Sequence, residues 1–416
     1  MNKGFCRVYQ ACMKIGMYIL PWTTPELLEG AEASRSLAED IKSRGIDRVL
    51  VVTGPNMMKR GLPLPMLDAM ERAGIAYEVF DKLTADPTDE QVEKGVRRYY
   101  RLWEQEKGAS GESGASCPQP GIVLFGGGSP MDCGKAIAAR IARPNKTVAQ
   151  LQGVLKVRAG KKIPFMWAVP TTSGTGSEAT MAAVITDHET HRKQSINDIS
   201  LIPHVCVLDP ALTVGLPPSI TADTGMDALC HAVEAFTNGT YNTEKEDHMA
   251  KEAVRLIYHN LYRAYEDGSD LEARSNMQKA AFYAGRAFTR GCVGYVHALG
   301  HTVGGMYGVS HGRAMAVLLP HVMRRYGKAV ESKLAELAQI CGIAEGDKPT
   351  KAAQAFLFWM EDINRKMGIP AGFDCIREED IPQMAVWADK EANPLYPVPE
   401  VLSRRQLAEL LRSCRL

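Results

Sequence analysis

The sequence predicts an α/β domain over residues 1–213 followed by an all-helical domain over residues 214–416. Three observations carry that reading. Short β-branched runs alternate with helical patterns through the first half. Two of those runs end in a Gly-rich or Ser/Thr-rich turn at a strand end, where open α/β sheets bind ligands. From Pro217 onward the texture changes to long helical periodicities, and no internal repeat is visible.

Taken in order, Arg48–Thr53 is a continuous apolar run closed by Gly54-Pro55, a buried strand and its turn. Leu62–Gly74 has helical spacing and Ala76–Phe80 is a second strand. Thr88–Gln105 is a charged helix whose Thr88 and Gln91 form a capping-box pattern. Lys107–Gly121, rich in Gly, Ser and Pro, reads as an exposed mobile insertion. Ile122–Phe125 is the next strand, followed by Gly126-Gly127-Gly128-Ser129-Pro130-Met131-Asp132 and the helix Cys133–Ile141. Strand, glycine turn and helix N-terminus cradle a phosphate, because glycines admit close backbone approach and the free N–H groups meet the anion. The spacing is not Gly-x-Gly-x-x-Gly, and three glycines can equally make a bare tight turn. Pro164–Val169 is another strand, running into Pro170-Thr171-Thr172-Ser173-Gly174-Thr175-Gly176-Ser177-Glu178; the bland alternative is a solvated Ser/Thr loop. Strands at Ala183–Asp187 and Val205–Leu208 complete the first half. Helical patterns then cover Ala250–Ala264, Leu271–Gly291, Ala314–Tyr326, Val330–Cys341, Lys351–Met367 and Leu402–Leu411.

Composition narrows the function. A chain of 416 residues can bury two or three sizeable cores. A net charge of +1 gives no electrostatic footprint for nucleic acid or an anionic membrane, and Lys94, Arg97 and Arg98 beside Glu90 and Glu93 read as a solvated helix face. Ten scattered cysteines without a Cys-x-x-Cys favour reduced thiols and a cytoplasmic protein. No apolar run reaches the ~18–20 residues of a membrane span. Residues 1–16 stand apart: Lys3, Arg7 and Lys14 flank short apolar pieces, with no unbroken hydrophobic stretch. Met13 or Met17 is an alternative true start, and the sharper alternative for residues 1–16 is an amphipathic targeting extension.

The chemistry concentrates between Gly225 and Gly312. Asp227 and His231 are four apart in a helix-favouring stretch, so both leave one face. His297 and His301 repeat that spacing, and His311 opens a third segment. Each pair alone is more often a surface hydrogen bond or a satisfied histidine. Together, a carboxylate and several imidazoles favour one divalent metal of borderline softness.

These motifs in this order, Gly-Gly-Gly-Ser-Pro-x-Asp, Pro-Thr-Thr-Ser-Gly-Thr-Gly-Ser-Glu, Thr-Gly-Met-Asp-Ala-x-x-His and His-x-x-x-His with a further His ten residues on, resemble the iron-containing alcohol dehydrogenase family. The similarity runs from about Tyr18 to the C-terminus, through Asn393-Pro394. It implies a Rossmann-like dinucleotide-binding domain, a helical metal domain of dehydroquinate synthase-like architecture, an active site in the cleft between them, and a homodimer or higher homo-oligomer. Carried over by position, the resemblance makes Asp227, His231, His297 and His311 the metal ligands and His301 the additional active-site histidine. It makes Gly127, Gly128 and Ser129, after Gly126 and with Asp132 beside them, the pyrophosphate turn. Thr171, Thr172 and Thr175 match the second nucleotide loop, followed by Thr180, Val184 and Lys193 near ribose and nicotinamide.

Two positions depart from the family pattern. Gly54 stands where an Asp commonly accepts from the adenosine ribose, which removes repulsion against a 2′-phosphate and admits NADP(H), with Lys59 or Arg60 as partners. Asp86-Pro87-Thr88 replaces the usual Asn-Pro-Thr. The reaction implied is hydride transfer between NAD(P)H and a short-chain alcohol or aldehyde whose oxygen a metal polarises. Four protein ligands fill a tetrahedral zinc site, whereas Fe(II) takes more, so Fe(II) is expected and zinc is the competing ion. His301 is the proton-transfer candidate. Met181, Ala182 and Ala183 lean toward small unbranched substrates. The alternatives are a metal- and NAD-dependent sugar-phosphate cyclase or lyase of the same fold, disfavoured by His-rich rather than Arg-rich segments, and a non-catalytic metal-binding subunit.

Overall fold

The computed structural model describes residues 2–109, 118–158, 162–190, 192–344 and 346–416. The chain divides into two compact units, one of residues 21–172 and 177–214, the other of residues 1–20, 173–176 and 215–416. The sequence division at 213/214 counts residues 1–20 with the α/β half; in the structure they pack with the helical unit. Of the loop expected over Lys107–Gly121, residues 110–117 lie outside the described residues.

The first helix, α1 (Lys3–Ile19), belongs to the helical unit. The α/β unit then runs β1 (Glu26–Glu29), α2 (Ala33–Ser43), β2 (Arg48–Thr53), α3 (Pro55–Lys59), α4 (Leu64–Arg72), β3 (Ala76–Phe80), α5 (Asp89–Ala109), β4 (Gly121–Gly126), α6 (Gly128–Ala142), α7 (Val148–Leu151), β5 (Gly153–Val154), β6 (Met166–Pro170), β7 (Ala182–Thr186), β8 (Lys193–Asn197) and β9 (Val205–Leu208). Six strands form a parallel sheet in the order β1-β9-β6-β4-β2-β3. Alternation sorts the strand side chains. Leu50, Val52, Ile122, Leu124, Met166 and Ala168 meet α5 and α6, while Val49, Val51, Val123, Phe125, Trp167 and Val169 meet α2 and α4. A second sheet, β5-β8-β7, carries one antiparallel pair. Thr88 and Gln91 do form the capping box, with both reciprocal bonds present.

The helical unit continues with α8 (Pro218–Asn238), α9 (Glu244–Glu266), α10 (Leu271–Gly291), α11 (Tyr295–Tyr307), α12 (His311–Tyr326), α13 (Glu331–Ile340), α14 (Pro349–Lys366), α15 (Ile381–Ala392) and α16 (Arg404–Ser413). From Gly225 to Asn238 every residue of α8 is buried, which marks it as the central helix around which the others pack. The expected α/β-then-helical architecture is therefore the one observed. Among the described residues, no helix is long and apolar enough to cross a membrane.

Candidate functional site

Three elements of the helical unit bring the metal-type side chains together. Asp227 and His231 leave one face of α8, His297 sits in the first turn of α11, and His311 is the first residue of α12. His311 Nε2 lies 3.2 Å, His297 Nε2 3.8 Å and His231 Nε2 3.9 Å from Asp227 Oδ1. One donor atom from each of the four falls within 4.8 Å of the other three. Close packing of small residues makes this convergence feasible. A Cβ on Gly312 would stand 2.2 Å from the Asp223 carbonyl oxygen, so the residue after His311 must be glycine for α12 to meet α8 this closely. Asp223 also accepts from Ser310 Oγ at 2.9 Å and Arg313 Nε at 2.8 Å, fixing the start of α12.

The donor set fits a bound cation. Two of the converging atoms, Asp227 Oδ1 and His297 Nε2, are buried with no hydrogen-bond partner among the described residues, an arrangement that costs roughly 1–3 kcal/mol for each polar group left unmet. Burial pushes Asp227 upward, and positive charge on the His231, His311 or His297 side of the cluster pulls the carboxylate below its ordinary value. Burial keeps His231 (pushed down to about 3) and His297 neutral, which is the form that donates a lone pair.

A supporting layer fixes the rings. His297 Nδ1 lies 2.6 Å from Glu234 Oε2, which directs the opposite nitrogen toward Asp227. Glu234 Oε1 accepts from the Val296 N–H as well, so one carboxylate ties α8 to the start of α11. The His231 ring stacks on Phe288 at 4.0 Å. Glu234 was missed by sequence reasoning, although its spacing of seven from Asp227 and three from His231 puts it on their helix face. His301 lies one turn beyond His297, half exposed and stacked on His311 at 5.3 Å, outside the four-residue cluster. Its Nδ1 is 2.7 Å from Glu391 Oε1, which also accepts from Tyr396 Oη at 3.2 Å. No local signal in the sequence pairs Glu391 with a histidine ninety residues away.

The nucleotide-type residues of the α/β unit gather at the carboxyl ends of adjacent strands. Chain order reverses about β2, since β3 lies on one side of it and β4 on the other, and ligands bind at such switch points. Gly54 follows β2 and Gly126 closes β4, both against Pro130: a Cβ would lie 4.0 Å from its ring at Gly54 and 2.8 Å at Gly126. Gly126 has φ +144, a conformation open to glycine alone. Helix α6 starts at Gly128 with Gly127 as an uncapped N-terminus, so its first N–H groups are unclaimed by a capping side chain. The helix thus begins inside the glycine run, five residues before the expected Cys133. Thr171 donates its N–H to the Gly126 carbonyl, and a Cβ on Gly127 would stand 3.4 Å from Thr172 Oγ1. Ser129 Oγ donates to the Ala85 carbonyl, and Lys193 reaches Asp86 of the same loop at 2.8 Å.

Behind this turn is a charged knot that sequence reasoning missed. Lys135, wholly buried on α6, directs Nζ at the Ser177, Thr180 and Ala182 carbonyls and the Ser177 and Thr180 hydroxyls, at 2.6 to 3.2 Å. Thr180 thus offers both its carbonyl and its hydroxyl to Lys135, and Ala183 lies in the core beneath the sheet. Asp132 accepts from Ser177 Oγ at 3.1 Å, and the backbone N–H of Val184 also bonds it. Thr175 sits between Gly174 and Gly176, which cluster with the helical unit. A Cβ on Gly174 would meet Thr224 at 2.6 Å, and Gly176 abuts Gly285 of α10. A lone Lys in the otherwise apolar stretch Cys133–Ala139 was the available signal.

Comparison with known proteins gives matches over both units of the chain. The family model described as iron-containing alcohol dehydrogenase matches residues 24–210, and that for the C-terminal part of the Fe-containing alcohol dehydrogenase family matches residues 221–414. The 1,3-propanediol dehydrogenase of Klebsiella pneumoniae is 36% identical over 388 residues, covering 92% of this chain and 95% of its own. The NAD-dependent methanol dehydrogenase of Bacillus methanolicus is 33% identical over 392 residues, covering 94% and 98%. The crystal structure of a 1,3-propanediol oxidoreductase superposes with a TM-score of 0.85 at 34% identity, covering 95% of this chain and 100% of that one.

Proposed function

Because the chain belongs to the iron-containing alcohol dehydrogenase family, we propose that it moves a hydride between NAD(P)H and a short-chain alcohol or aldehyde at a metal held by Asp227, His231, His297 and His311. The class, an NAD(P)-dependent alcohol oxidoreductase, follows from membership. The observation that supports the metal assignment is the ring of three imidazole nitrogens 3.2–3.9 Å from one buried carboxylate oxygen. A divalent ion in that ring supplies Lewis-acid polarisation of a substrate oxygen. We take Fe(II) as the ion, since a substrate needs a coordination position that four ligands on tetrahedral zinc do not leave. The test is oxidation of NADH and NADPH with C2–C4 aldehydes, with and without added Fe(II). Absence of aldehyde-dependent turnover with either nucleotide and Fe(II) would sink the reading.

The chain's own groups divide the remaining work. Glu234 sets the His297 tautomer, and the Gly126–Ser129 turn with the α6 N-terminus receives the pyrophosphate. Thr171, Thr172 and Thr175 form the second nucleotide loop, with Val184 and Lys193 toward the ribose and nicotinamide. His301 passes a proton to or from the substrate oxygen, held by Glu391 on its Nδ1 side. His301→Ala is expected to lower kcat by ~10²–10⁴-fold, the usual worth of a positioned acid. Glu391→Gln should lose less and shift the pH profile; unchanged turnover across pH in His301→Ala would reduce that histidine to a wall of the pocket.

Gly54 supports use of NADP(H), because the switch-point strand end carries no carboxylate to repel a 2′-phosphate. A like-charge juxtaposition costs several kcal/mol. Gly54→Asp should therefore reduce kcat/KM for NADPH at least about tenfold relative to NADH. A native preference for NADH as strong as that of the Asp variant would overturn the assignment. The assembly is expected to be a homodimer or higher, in the cytoplasm, acting on a small molecule without nucleic acid or membrane.

A further inference from the structure

Helix α1 precedes both family-model matches, which begin at residues 24 and 221. It is nevertheless fixed to the helical unit. Cys6 joins that unit's core, and the buried Gln10 donates Nε2 to the Tyr396 carbonyl at 2.8 Å and the Pro394 carbonyl at 3.2 Å. Arg7 donates to the Val398 and Pro399 carbonyls at 2.9 and 2.8 Å. Gln10 and Met17 mark the inward face. The opposite face carries Phe5, Val8, Cys12, Ile15 and Ile19, all exposed, with four of them at 56%, 66%, 65% and 77%. Their spacing alternates three and four residues throughout, a two-heptad stripe with the period of a helix–helix seam. An apolar stripe of that length, roughly 21 Å at 1.5 Å per residue, is not left to water without reason.

Charge decides what covers it. Residues 2–20 contain Lys3, Arg7 and Lys14 and no acidic residue. A helix lying on an anionic bilayer sets its cations along the edges of its apolar face. Here the edges are Gly4, Ala11 and Tyr18 on one side and Tyr9 and Gly16 on the other, while the cations lie in the sector next to the inward face. Arg7 is bonded to body carbonyls and Lys3 faces Glu400 at 3.7 Å. The uncharged edges, small at Gly4, Ala11 and Gly16, let a second identical helix approach without like charges meeting. A two-fold axis makes such a stripe self-complementary.

We infer that α1 is an assembly helix whose Phe5–Val8–Cys12–Ile15–Ile19 stripe pairs with the same stripe of a second copy of this chain. The stripe is centred on Cys12, so pairing in either orientation brings the two Cys12 thiols together. The inference does not rest on the oxidoreductase reading, and none of the five stripe residues is among those assigned to the metal or the nucleotide.

The experiment is sedimentation velocity of the full chain over a range of concentrations, comparing wild type with Val8→Glu/Ile15→Glu. The double variant is expected to have half the wild-type mass with unchanged turnover of NADPH and aldehyde. As a check on a well-folded chain, copper-phenanthroline oxidation should give a covalent dimer that Cys12→Ser abolishes. Equal masses for the wild type and double variant, or no Cys12-dependent dimer, overturns the inference. So does wild type that stays at the double variant's mass and binds phosphatidylserine vesicles through Val8 and Ile15, which would assign the stripe to lipid.

Discussion

Asp227→Asn is expected to purify folded but without stoichiometric metal, and to lose about 10³-fold or more in kcat with every aldehyde tried. Oδ1 of this carboxylate is the point on which three imidazoles converge. The amide removes the only anionic donor of the four, so the remaining imidazoles hold a dication less firmly. Lewis-acid polarisation contributes several kcal/mol to such a reaction. Each 1.36 kcal/mol is tenfold in rate, so losing ~4 kcal/mol gives the stated effect. His297→Ala should match it in both readouts, metal content by mass spectrometry and turnover. Glu234→Gln should fall between them and wild type, since loss of an outer partner typically costs 10–100-fold in affinity. Full metal occupancy in Asp227→Asn would place the ion elsewhere.

What the sequence disclosed follows from where the determining contacts lie. Strand β2 matches the expected run residue for residue, because a strand covered on both faces writes its burial as unbroken apolar sequence; the half-exposed edge strand β3 matches its bounds as well, with Phe80 as its buried end. Helix α10 is matched at both ends for a similar reason, with Asp270 capping Ala273 and Gly291 ending the periodicity. Strands β1 and β8 were not anticipated. Their sequences, Glu-Leu-Leu-Glu and Lys-Gln-Ser-Ile-Asn, have weak strand preference, and pairing with β9 and β7 decides their state. In the site, the four donors were legible as residue types at helical spacing, and Asp227 with Glu234 could have been read from the same face. The Glu391–His301 and Lys135–Ser177 contacts join separate elements, and nothing local encodes them. The assignment of α1 to the helical unit depends on Gln10 and Arg7 meeting backbone carbonyls of residues 394–399, which carry no sequence signature.

Lys135→Met should cost more stability than any other single change in the α/β unit, on the order of 3–5 kcal/mol, the penalty for removing one member of a buried charge set. The ammonium shares three N–H donors among five oxygens of the segment from Ser177 to Ala182, and Asp132 and Glu178 are its counter-charges. Methionine matches the stem but leaves those oxygens and carboxylates unmet. Because Lys135 lies on the helix that opens with the Gly126–Ser129 turn, KM for the nucleotide should rise as well. The pH dependence has a definite sign. Burial pushes Glu178 up to about 7 and Asp132 to about 6, opposed in each case by Lys135. A carboxyl whose folded pKa is raised contributes stability that is complete below its unfolded value and is lost as pH rises through the folded one. With the lysine gone that opposition disappears, so both groups hold their protons to higher pH and their loss on ionising is larger. The stability deficit of Lys135→Met, measured by urea unfolding, should be smaller near pH 5, where the carboxyls are protonated and only the carbonyl and hydroxyl partners are lost, and reach its full size near pH 8. Burial pulls Lys135 itself down to about 8 from 10.5, so the unfolded chain binds the extra proton between those values. Wild-type stability should therefore recover across that interval, and the variant's should not. A deficit of equal size at pH 5 and pH 8 would mean that packing, and not charge, is what Lys135 contributes.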